Sequence, residues 1–399
     1  MTARRTAGKK ADWTSGVSRR ELLRCLAGAG FSAPVIASIL ASEGLAQEAT
    51  QTASPPAPQP DPSLAGVDPR LIALDPLNLE TPLYLLDDLI VPNELFFVRN
   101  HAPAPMIAPE DYRLRVTGHV DQELELTLAD LKGMPQQTIT AFLECSGNSR
   151  SRFEPIAEGN QWGNGAVGTA EWTGVRLRDL LDRARVKDGA VDVVSQGGDL
   201  EVMQRGLPMS KAYDPNTLVV WQMNGADLPR PHGGPVRLFV PGWGGIASTK
   251  WLIELRVLDH VFNGRFNSVA YQIITEEGIN VRPVREVPVK SVITRPQPGE
   301  QLAAGQQTLV GYAWSGYGGI SRIEVSVDDG ATWTEAQITK AAGWLAWVRF
   351  EHSWDAKPGQ TRLLSRATDE LGEQQPTTVP WNAKGYLMNA IYAVPVTVA

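Results

Sequence analysis

Thiols are scarce in this chain, and their scarcity excludes several kinds of site. The 399 residues include two cysteines, and Cys25 lies in a predicted export signal, so the mature chain keeps only Cys145. A lone thiol cannot form an intramolecular disulfide, nor a zinc or iron–sulfur site built from several thiolates. It can bind one soft metal if a cofactor supplies further sulfurs, act as a nucleophile, or be a buried apolar residue.

Positive charge, long apolar runs and haem motifs are also lacking. The net charge of −7 and the pI near 5.4 argue against a nucleic-acid partner. An anionic substrate would therefore need a local basic pocket. No stretch of the mature chain is long and apolar enough for a membrane span. Without C-x-x-C-H there is no attached c-type haem. The string G-x-G-x-x-G at 163–168 does not follow an apolar strand, which argues against a dinucleotide loop.

The first 46 residues have the pattern of a twin-arginine export signal. Basic residues precede Ser18, Arg19 and Arg20, and a short apolar stretch leads to a small-residue cleavage site at Ala46. This route carries folded proteins, so the chain would fold, and would bind any cofactor, in the cytoplasm. We therefore predict a periplasmic protein. Residues 47–67 are rich in proline and poor in bulky apolar residues, which predicts a disordered linker.

The remaining chain divides into two patterns. Over 68–286 short strands mix with helices: 113–120 alternates like a half-buried strand, 126–135 and 176–186 read as helices, and 235–242 is an apolar strand. From 287 to 399, strands are separated by turns such as Asp329-Gly330. This predicts an α+β domain followed by an all-β sandwich of the immunoglobulin type.

Four strings carry a resemblance to a known family. They are FFVRNHAP at 96–103, FLECSGNSR around Cys145, LPRPHGGPVRLFVPGWGG with STKWL over 228–252, and WNAKGYLMNAIY at 381–392. In this order they resemble the sulfite oxidase family of molybdopterin enzymes, including bacterial sulfite dehydrogenases and the molybdenum subunit of the Sox sulfur dehydrogenase. The resemblance implies a molybdopterin-binding domain over 68–286 and a dimerisation domain over 287–399.

The resemblance also implies site residues. Cys145 would be the only protein ligand of molybdenum and would complete a shell of two pterin sulfurs and oxo groups. Arg99 and Arg150 occupy the positions of two arginines of the family. The family has a third arginine in W-N-x-R-G, where this chain has Lys384. Lysine keeps the positive charge but cannot form the two parallel hydrogen bonds of a guanidinium group. The implied catalytic residues are Arg99, Cys145, Arg150, Trp162, Tyr271 and Lys384.

A second implied set binds the Mo-molybdopterin cofactor. Arg237 and Lys250 suit its phosphate. His232 has an alternative interpretation, a core histidine capped by a carbonyl group. The implied cofactor-binding residues are Asn100, His101, Asp199, His232, Arg237, Ser248, Thr249 and Lys250.

The function that the resemblance implies is oxidation of sulfite, or a related sulfur species, to sulfate by oxygen-atom transfer. Electrons would pass to a separate c-type cytochrome, and the chain would form a homodimer or assemble with a cytochrome subunit. One alternative is a molybdenum-dependent reductase, such as a protein-methionine-sulfoxide reductase, but those proteins resemble only the first domain. A second is a cofactor-free binding protein with the same fold. A cysteine–histidine nucleophile built on Cys145 would explain none of the other strings.

Overall fold

The computed structural model describes residues 58–399 of the chain. The predicted signal over 1–46 and the linker up to residue 57 lie outside the described residues. The packed chain begins before the predicted boundary at residue 68, because Leu64 is 2% exposed and packs in one cluster with Leu79 and Val98. The Asp61 side chain caps the start of the 3-10 helix Pro62–Leu64, which contains Leu64. Residues 58–67 therefore belong to the folded body.

The first domain is built mainly from short strands. Its strands, in chain order, are β1 Ile72–Asp75, β2 Asn78–Glu80, β3 Val98–Arg99, β4 Arg113–Gly118, β5 Leu124–Thr127, β6 Gln136–Glu144, β7 Val167–Arg176, β8 Asp192–Gly197, β9 Gln204–Pro208, β10 Leu218–Met223, β11 Ala226–Asp227, β12 Arg237–Phe239, β13 Leu252–Leu258, β14 Gln272–Ile274 and β15 Asn280–Pro283.

Helices are few and short, and two of them match the predicted segments. They are α1 Leu128–Lys132, α2 Leu177–Ala184, α3 Met209–Ala212 and α4 Arg265–Ser268. A capping box between Thr127 and Asp130 starts α1, and Gly133 ends it. Helix α2 buries one apolar face, as its spacing predicts. Among the helices that the structure describes, none is long and apolar enough to cross a membrane.

Two five-stranded sheets form the body of the first domain. One has the order β11-β10-β7-β6, with β12 also paired to β10. The other has the order β5-β4-β13-β8-β9, in which β4 and β13 are parallel. Smaller sheets are β1-β2-β3 and the hairpin β14-β15. The long antiparallel ladder between β6 and β7 ends at Glu144, so the chain leaves the sheet where Cys145 follows.

The second domain is a β-sandwich. Its strands are β16 Lys290–Arg295, β17 Gln301–Leu302, β18 Gly305–Trp314, β19 Ile320–Ser326, β20 Thr334–Glu335, β21 Gln337–Lys340, β22 Val348–Ala356, β23 Gly359–Asp369 and β24 Val394–Val398. They form two sheets with the orders β16-β18-β22-β21 and β17-β24-β23-β19-β20. The predicted turn is present, since Asp329 and Gly330 both have positive φ angles. The α+β domain followed by an all-β sandwich is confirmed.

The two domains share a hydrophobic core. Trp314 and Trp347 of the sandwich lie in one cluster with Phe142 of β6. The Trp314 ring centroid is 6.5 Å from that of Phe142 and 6.2 Å from that of Trp347. Trp347 Nε1 also donates to the carbonyl of Leu89 at 2.7 Å. The sandwich is therefore packed directly beneath the strand that delivers Cys145.

Candidate active site

Cys145 begins the cysteine loop, residues 145–150, at the end of β6. Its backbone amide donates to the carbonyl of Ala166 at 2.9 Å, and its own carbonyl accepts from the amide of Asn148 at 2.8 Å. These bonds close a tight turn in which Ser149 has a φ of 67°. The side chain is buried, and burial raises the pKa of the Cys145 thiol while the Arg99 charge opposes the shift. A metal cation would favour the thiolate instead.

One side of Cys145 faces a cavity of about 660 Å³, which we call the cofactor cavity. It brings together all but one of the residues predicted to bind the cofactor. The exception is Thr249, whose hydroxyl lies behind the wall, 2.7 Å from Ser195 Oγ. Predicted residues that line the cavity are Arg99, Asn100, His101, Cys145, Asp199, His232, Arg237, Ser248, Lys250 and Tyr271.

Two cations lie at the cofactor cavity, Arg237 buried and Lys250 half-buried. Lys250 Nζ donates to Asn100 Oδ1 at 2.7 Å and to the carbonyl of Pro231 at 2.6 Å. Burial lowers its pKa well below the ordinary value, and the nearby charges of Arg237 and Arg99 act in the same direction. Burial also lowers the pKa of Arg237 to about 9. Such cations are costly without an anionic partner, so the cavity suits an anionic group.

Several polar atoms at the cofactor cavity are buried and lack a hydrogen-bond partner within the described part of the chain. They belong to Asn100 (Nδ2), Ser146 (Oγ), Asp199 (Oδ1) and Arg237 (Nε). Buried polar atoms in folded proteins are nearly always paired, and an unpaired one costs about 1–3 kcal/mol. Donors and acceptors in one cavity, beside two cations, fit a polar ring system that carries a phosphate. The residues present therefore fit molybdopterin.

The two histidines of the cofactor cavity are held neutral. Burial lowers the pKa of His101 to about 3, with Arg99 and Lys250 adding to the shift. Burial and the charge of Lys250 lower the pKa of His232 to about 3 as well. His232 Nε2 lies 2.8 Å from the carbonyl of Asn93. His232 is thus capped by a carbonyl group, and its ring also lines the cavity.

The other side of Cys145 faces a second cavity, the entrance cavity, of about 720 Å³. It shares Arg99, Cys145 and Tyr271 with the cofactor cavity, so Cys145 stands where the two meet. Every residue predicted to be catalytic lines it. These residues are Arg99, Cys145, Arg150, Trp162, Tyr271 and Lys384.

Arg150 is the most rigidly held cation of the entrance cavity. Its Nε donates to the carbonyl of Lys384 at 2.8 Å, and its Nη1 donates to the carbonyl of Asn160 at 2.9 Å. Gly147 and Gly159 leave room for the guanidinium, because a Cβ at either position would lie 2.5 and 2.8 Å from its nitrogens. The guanidinium is fixed before any substrate arrives.

Tyr271 connects the two cavities. Its hydroxyl lies 3.1 Å from His101 Nε2, and its ring stacks on Tyr386 with centroids 5.1 Å apart. Burial raises the pKa of Tyr271, while the charge of Arg99 opposes the shift. A φ of 56° turns the chain sharply at this residue, just before β14. Tyr271 therefore presents a neutral hydroxyl beside Cys145.

Lys384 lies at the mouth of the entrance cavity. Its Nζ forms an ion pair with the carboxylate of Glu158, and the two side chains are 40% and 75% exposed. The sequence predicts a cation for the anion pocket at this position. The structure places the cation there but adds a partner that offsets its charge.

Three residues of the site escaped the sequence analysis. Tyr386 follows Lys384 by two positions, so the C-terminal string offered a signal for it. Glu158 lies in no motif and had none. Glu80 accepts hydrogen bonds from the amides of Gly163 and Gly165, both at 2.7 Å. The glycine-rich string at 163–168 thus binds an internal carboxylate and supports the loop that carries Trp162.

Two family models match the chain. The model of the oxidoreductase molybdopterin binding domain matches residues 101–266. The model of the Mo-co oxidoreductase dimerisation domain matches residues 281–399. The first match contains Cys145 and most of the cofactor cavity, and the second contains the sandwich. Both agree with the two-domain architecture, and the cofactor is Mo-molybdopterin.

Similar proteins cover most of the described chain. Mitochondrial sulfite oxidase of Mus musculus is 36% identical over 361 residues, which are 82% of this chain and 65% of that protein. Sulfite oxidase of Gallus gallus is 35% identical over 84% of this chain and 81% of that protein. The crystal structure of the sulfane dehydrogenase SoxCD from Paracoccus pantotrophus has a TM-score of 0.76 and 31% identity, and the match covers 91% of this chain and 96% of that chain. The chain therefore belongs to the sulfite oxidase family of molybdopterin enzymes.

Proposed function

We propose that this protein oxidises sulfite, or a related small sulfur species, by molybdenum-dependent oxygen-atom transfer. One observation carries the proposal: Cys145 stands between a buried, polar cofactor cavity and a cationic entrance cavity. A metal bound by Cys145 would face both. The relatives named as sulfite oxidases and as a sulfane dehydrogenase support a sulfur donor.

The chain holds the cofactor through its buried polar side chains. Lys250 and Arg237 suit the phosphate, because both are cations with little solvent around them. Asn100 and Asp199 have unpaired buried atoms for the pterin ring. Cys145 suits the metal, since its thiolate is a soft donor. Bound there, molybdenum would supply the two-electron redox couple that oxygen-atom transfer to sulfur requires.

The entrance cavity binds and orients the anion. Arg99 is partly buried, and its Nη1 donates to the carbonyl of Asn100 at 2.6 Å, which fixes its direction. The bonds of Arg150 to backbone carbonyls use Nε and Nη1 and leave Nη2 for an anion. Trp162 is 1% exposed and closes the wall against water. Two preset guanidinium groups bind a small oxyanion without reorganisation.

Tyr271 and His101 control a proton beside the metal site. Both are neutral near pH 7, because burial raises the pKa of Tyr271 and lowers that of His101. The Tyr271 hydroxyl can therefore donate either to His101 or to an oxygen of the bound anion. A neutral donor does not add repulsion toward an anionic substrate, which suits a site that must also release sulfate.

A sulfane-sulfur substrate is the second candidate. The structural similarity to the sulfane dehydrogenase supports it. The pair between Lys384 and Glu158 favours it too, because a carboxylate at the mouth disfavours a free dianion. Sulfite and a sulfane donor can be compared on the same preparation.

The location and the electron acceptor rest on the sequence. The twin-arginine pattern around Arg19 and Arg20 supports export to the periplasm. Without a haem-attachment motif in the sequence, electrons would leave to a separate carrier, for which a c-type cytochrome is our proposal. The dimerisation-domain match over 281–399 supports a homodimer, with assembly on a cytochrome subunit as the alternative.

The test is reduction of cytochrome c by the purified protein with sulfite as donor, alongside molybdenum analysis. We expect about one molybdenum per chain and sulfite-dependent reduction. Molybdenum without oxidation of sulfite or a sulfane donor, but with reduction of methionine sulfoxide, would support the reductase instead. Protein purified without molybdenum and without activity would support a cofactor-free binding protein.

A further inference from the structure

A buried ion pair joins the two domains directly behind the cysteine loop. Lys290 begins β16 of the sandwich, and its Nζ lies 3.0 Å from Oε1 of Glu144, the residue before Cys145. The two side chains are 4% and 6% exposed. They are 146 residues apart in the sequence. The sandwich therefore places a charge next to the segment that carries the proposed metal ligand.

The pair also holds the rest of the cysteine loop. Glu144 Oε1 accepts from Asn148 Nδ2 at 2.8 Å, and its Oε2 accepts from Trp314 Nε1 at 2.8 Å. Lys290 Nζ donates in addition to Ser149 Oγ at 2.8 Å. Two loop residues and one sandwich tryptophan thus converge on the same two charges. Movement of either charge would displace the turn that follows Cys145.

The pair lies close to Cys145. One small gap in the packing is lined by Glu144, Cys145, Ser146 and Lys290, together with apolar residues such as Val287 and Leu387. Burying two charges carries a desolvation cost that apolar side chains of similar size would not incur. Apolar side chains would fill this space at a lower desolvation cost. The position of the pair behind the cysteine loop therefore suggests a role beyond packing.

We infer that Glu144 and Lys290 are positioning residues for the metal ligand, and that their two charges cancel each other behind the cysteine loop. The inference rests on the proposed function, because it takes Cys145 as the ligand. Neither residue lines the entrance cavity. Their loss should therefore affect the metal and kcat more than the binding of the anion.

The two charges predict effects of opposite sign on the metal. Lys290→Met leaves the carboxylate of Glu144 unpaired, and a negative charge nearby disfavours addition of an electron, so the reduction potential falls. Glu144→Gln keeps an oxygen acceptor and leaves the cation, so the potential rises. The double variant Glu144→Gln/Lys290→Met has neither charge and should return close to the wild-type potential.

The experiment is a redox titration of the holoenzyme followed by the EPR signal of molybdenum, with sulfite kinetics on the same samples. We expect the opposite potential shifts, a loss in kcat of about 10- to 100-fold for Lys290→Met, and a KM within about twofold of wild type. Tyr312→Phe is the matched control. It removes another hydrogen bond between the domains, to the carbonyl of Asp88 at 3.0 Å, and should leave potential and kcat unchanged.

Equal potentials in wild type and all three variants would overturn the inference, as would shifts of one sign. If Lys290→Met does not fold, Glu144→Gln and the double variant still test the inference. The potential should be raised in Glu144→Gln and should be close to the wild-type value in the double variant. Wild-type protein that lacks molybdenum would overturn the proposed function. Wild-type protein that holds molybdenum and oxidises sulfite, with variants that do not differ from it, would overturn only this inference.

Discussion

The two cavities that meet at Cys145 are built on opposite principles. At the cofactor cavity, Asn100 and Asp199 have buried polar atoms without partners among residues 58–399, and Arg237 is a buried cation. At the entrance cavity, Arg150 is bonded to backbone carbonyls and Lys384 is paired with Glu158. The polar atoms of the cofactor cavity need a ligand as hydrogen-bond partner, whereas the charges of the entrance cavity have partners within the protein.

This difference matches what each cavity must do. A cofactor that stays bound can supply the missing hydrogen bonds permanently, so the protein can leave them open. A substrate that enters and leaves at every turnover must find a cavity that is stable when empty. Preset guanidinium groups and an exposed ion pair at the mouth meet that need. The comparison predicts that changes in the first cavity affect cofactor content, whereas changes in the second affect KM.

The largest expected effect is at the residue common to both cavities. Cys145→Ser replaces a soft thiolate with a weak, hard donor, so we expect sulfite oxidation to fall by about a thousandfold or more. The fold should persist, because serine is of similar size. Steady-state cytochrome c reduction and circular dichroism measure the two. Activity within tenfold of wild type would show that Cys145 is not the ligand.

The second prediction tests the cofactor cavity alone. Lys250→Met removes a half-buried cation whose Nζ bonds to Asn100 and Pro231, so we expect cofactor affinity to fall about 10- to 100-fold and the molybdenum content of the purified protein to fall with it. Lys211→Met is the control, since that lysine pairs with Asp214 away from either cavity. Normal molybdenum content in Lys250→Met, together with a raised KM, would contradict the assignment of cofactor binding to the first cavity and substrate binding to the second.

Local sequence patterns were sufficient to predict much of this site. The elements 113–120 and 176–186 follow hydrophobic periodicity, and the cofactor-cavity residues lie in contiguous strings around Asn100, His232 and Lys250. The pairs Glu144–Lys290 and Glu158–Lys384 were not predictable in this way. Their partners are 146 and 226 residues apart, and only the packing of one domain on the other brings them together.

The third prediction concerns acid stability, set by a histidine of the cofactor cavity. The pKa of His232 is about 3 in the folded protein and 6.5 ordinarily, so His232 binds fewer protons in the folded protein than in the unfolded chain. Its contribution to the free energy of unfolding is therefore fully present above about pH 6.5 and is lost as the pH falls toward 3. Between pH 7 and 5 the contribution of His232 to the free energy of unfolding should fall by roughly 2 kcal/mol, and His101 adds a loss of the same sign. Urea titrations at both pH values measure it.

His232→Gln sharpens this result. A glutamine amide can still donate toward the carbonyl of Asn93 but does not titrate, so the variant should lose about 2 kcal/mol less than wild type over the same interval. His260→Gln, at an exposed site, should behave like wild type. Equal pH dependence in His232→Gln and wild type would mean that His232 does not titrate in this way.

The smallest expected effect is at the mouth of the entrance cavity. Glu158→Gln frees Lys384, so KM for sulfite should fall about two- to fivefold, and Lys384→Ala should raise it by a similar factor, because exposed ion pairs contribute little. Molybdenum content should not change in either variant. Lys357→Ala breaks an exposed pair with Asp355 in the sandwich and serves as the control. Identical KM values in all three variants would place Lys384 outside the substrate path.

The central claim is that one side chain joins the two cavities through a metal, and molybdenum K-edge X-ray absorption tests it most directly. We predict three sulfur ligands at the metal in the wild-type protein, two from the pterin and one from Cys145. We predict two sulfur ligands in Cys145→Ser. The same number of sulfur ligands in both proteins would contradict the account.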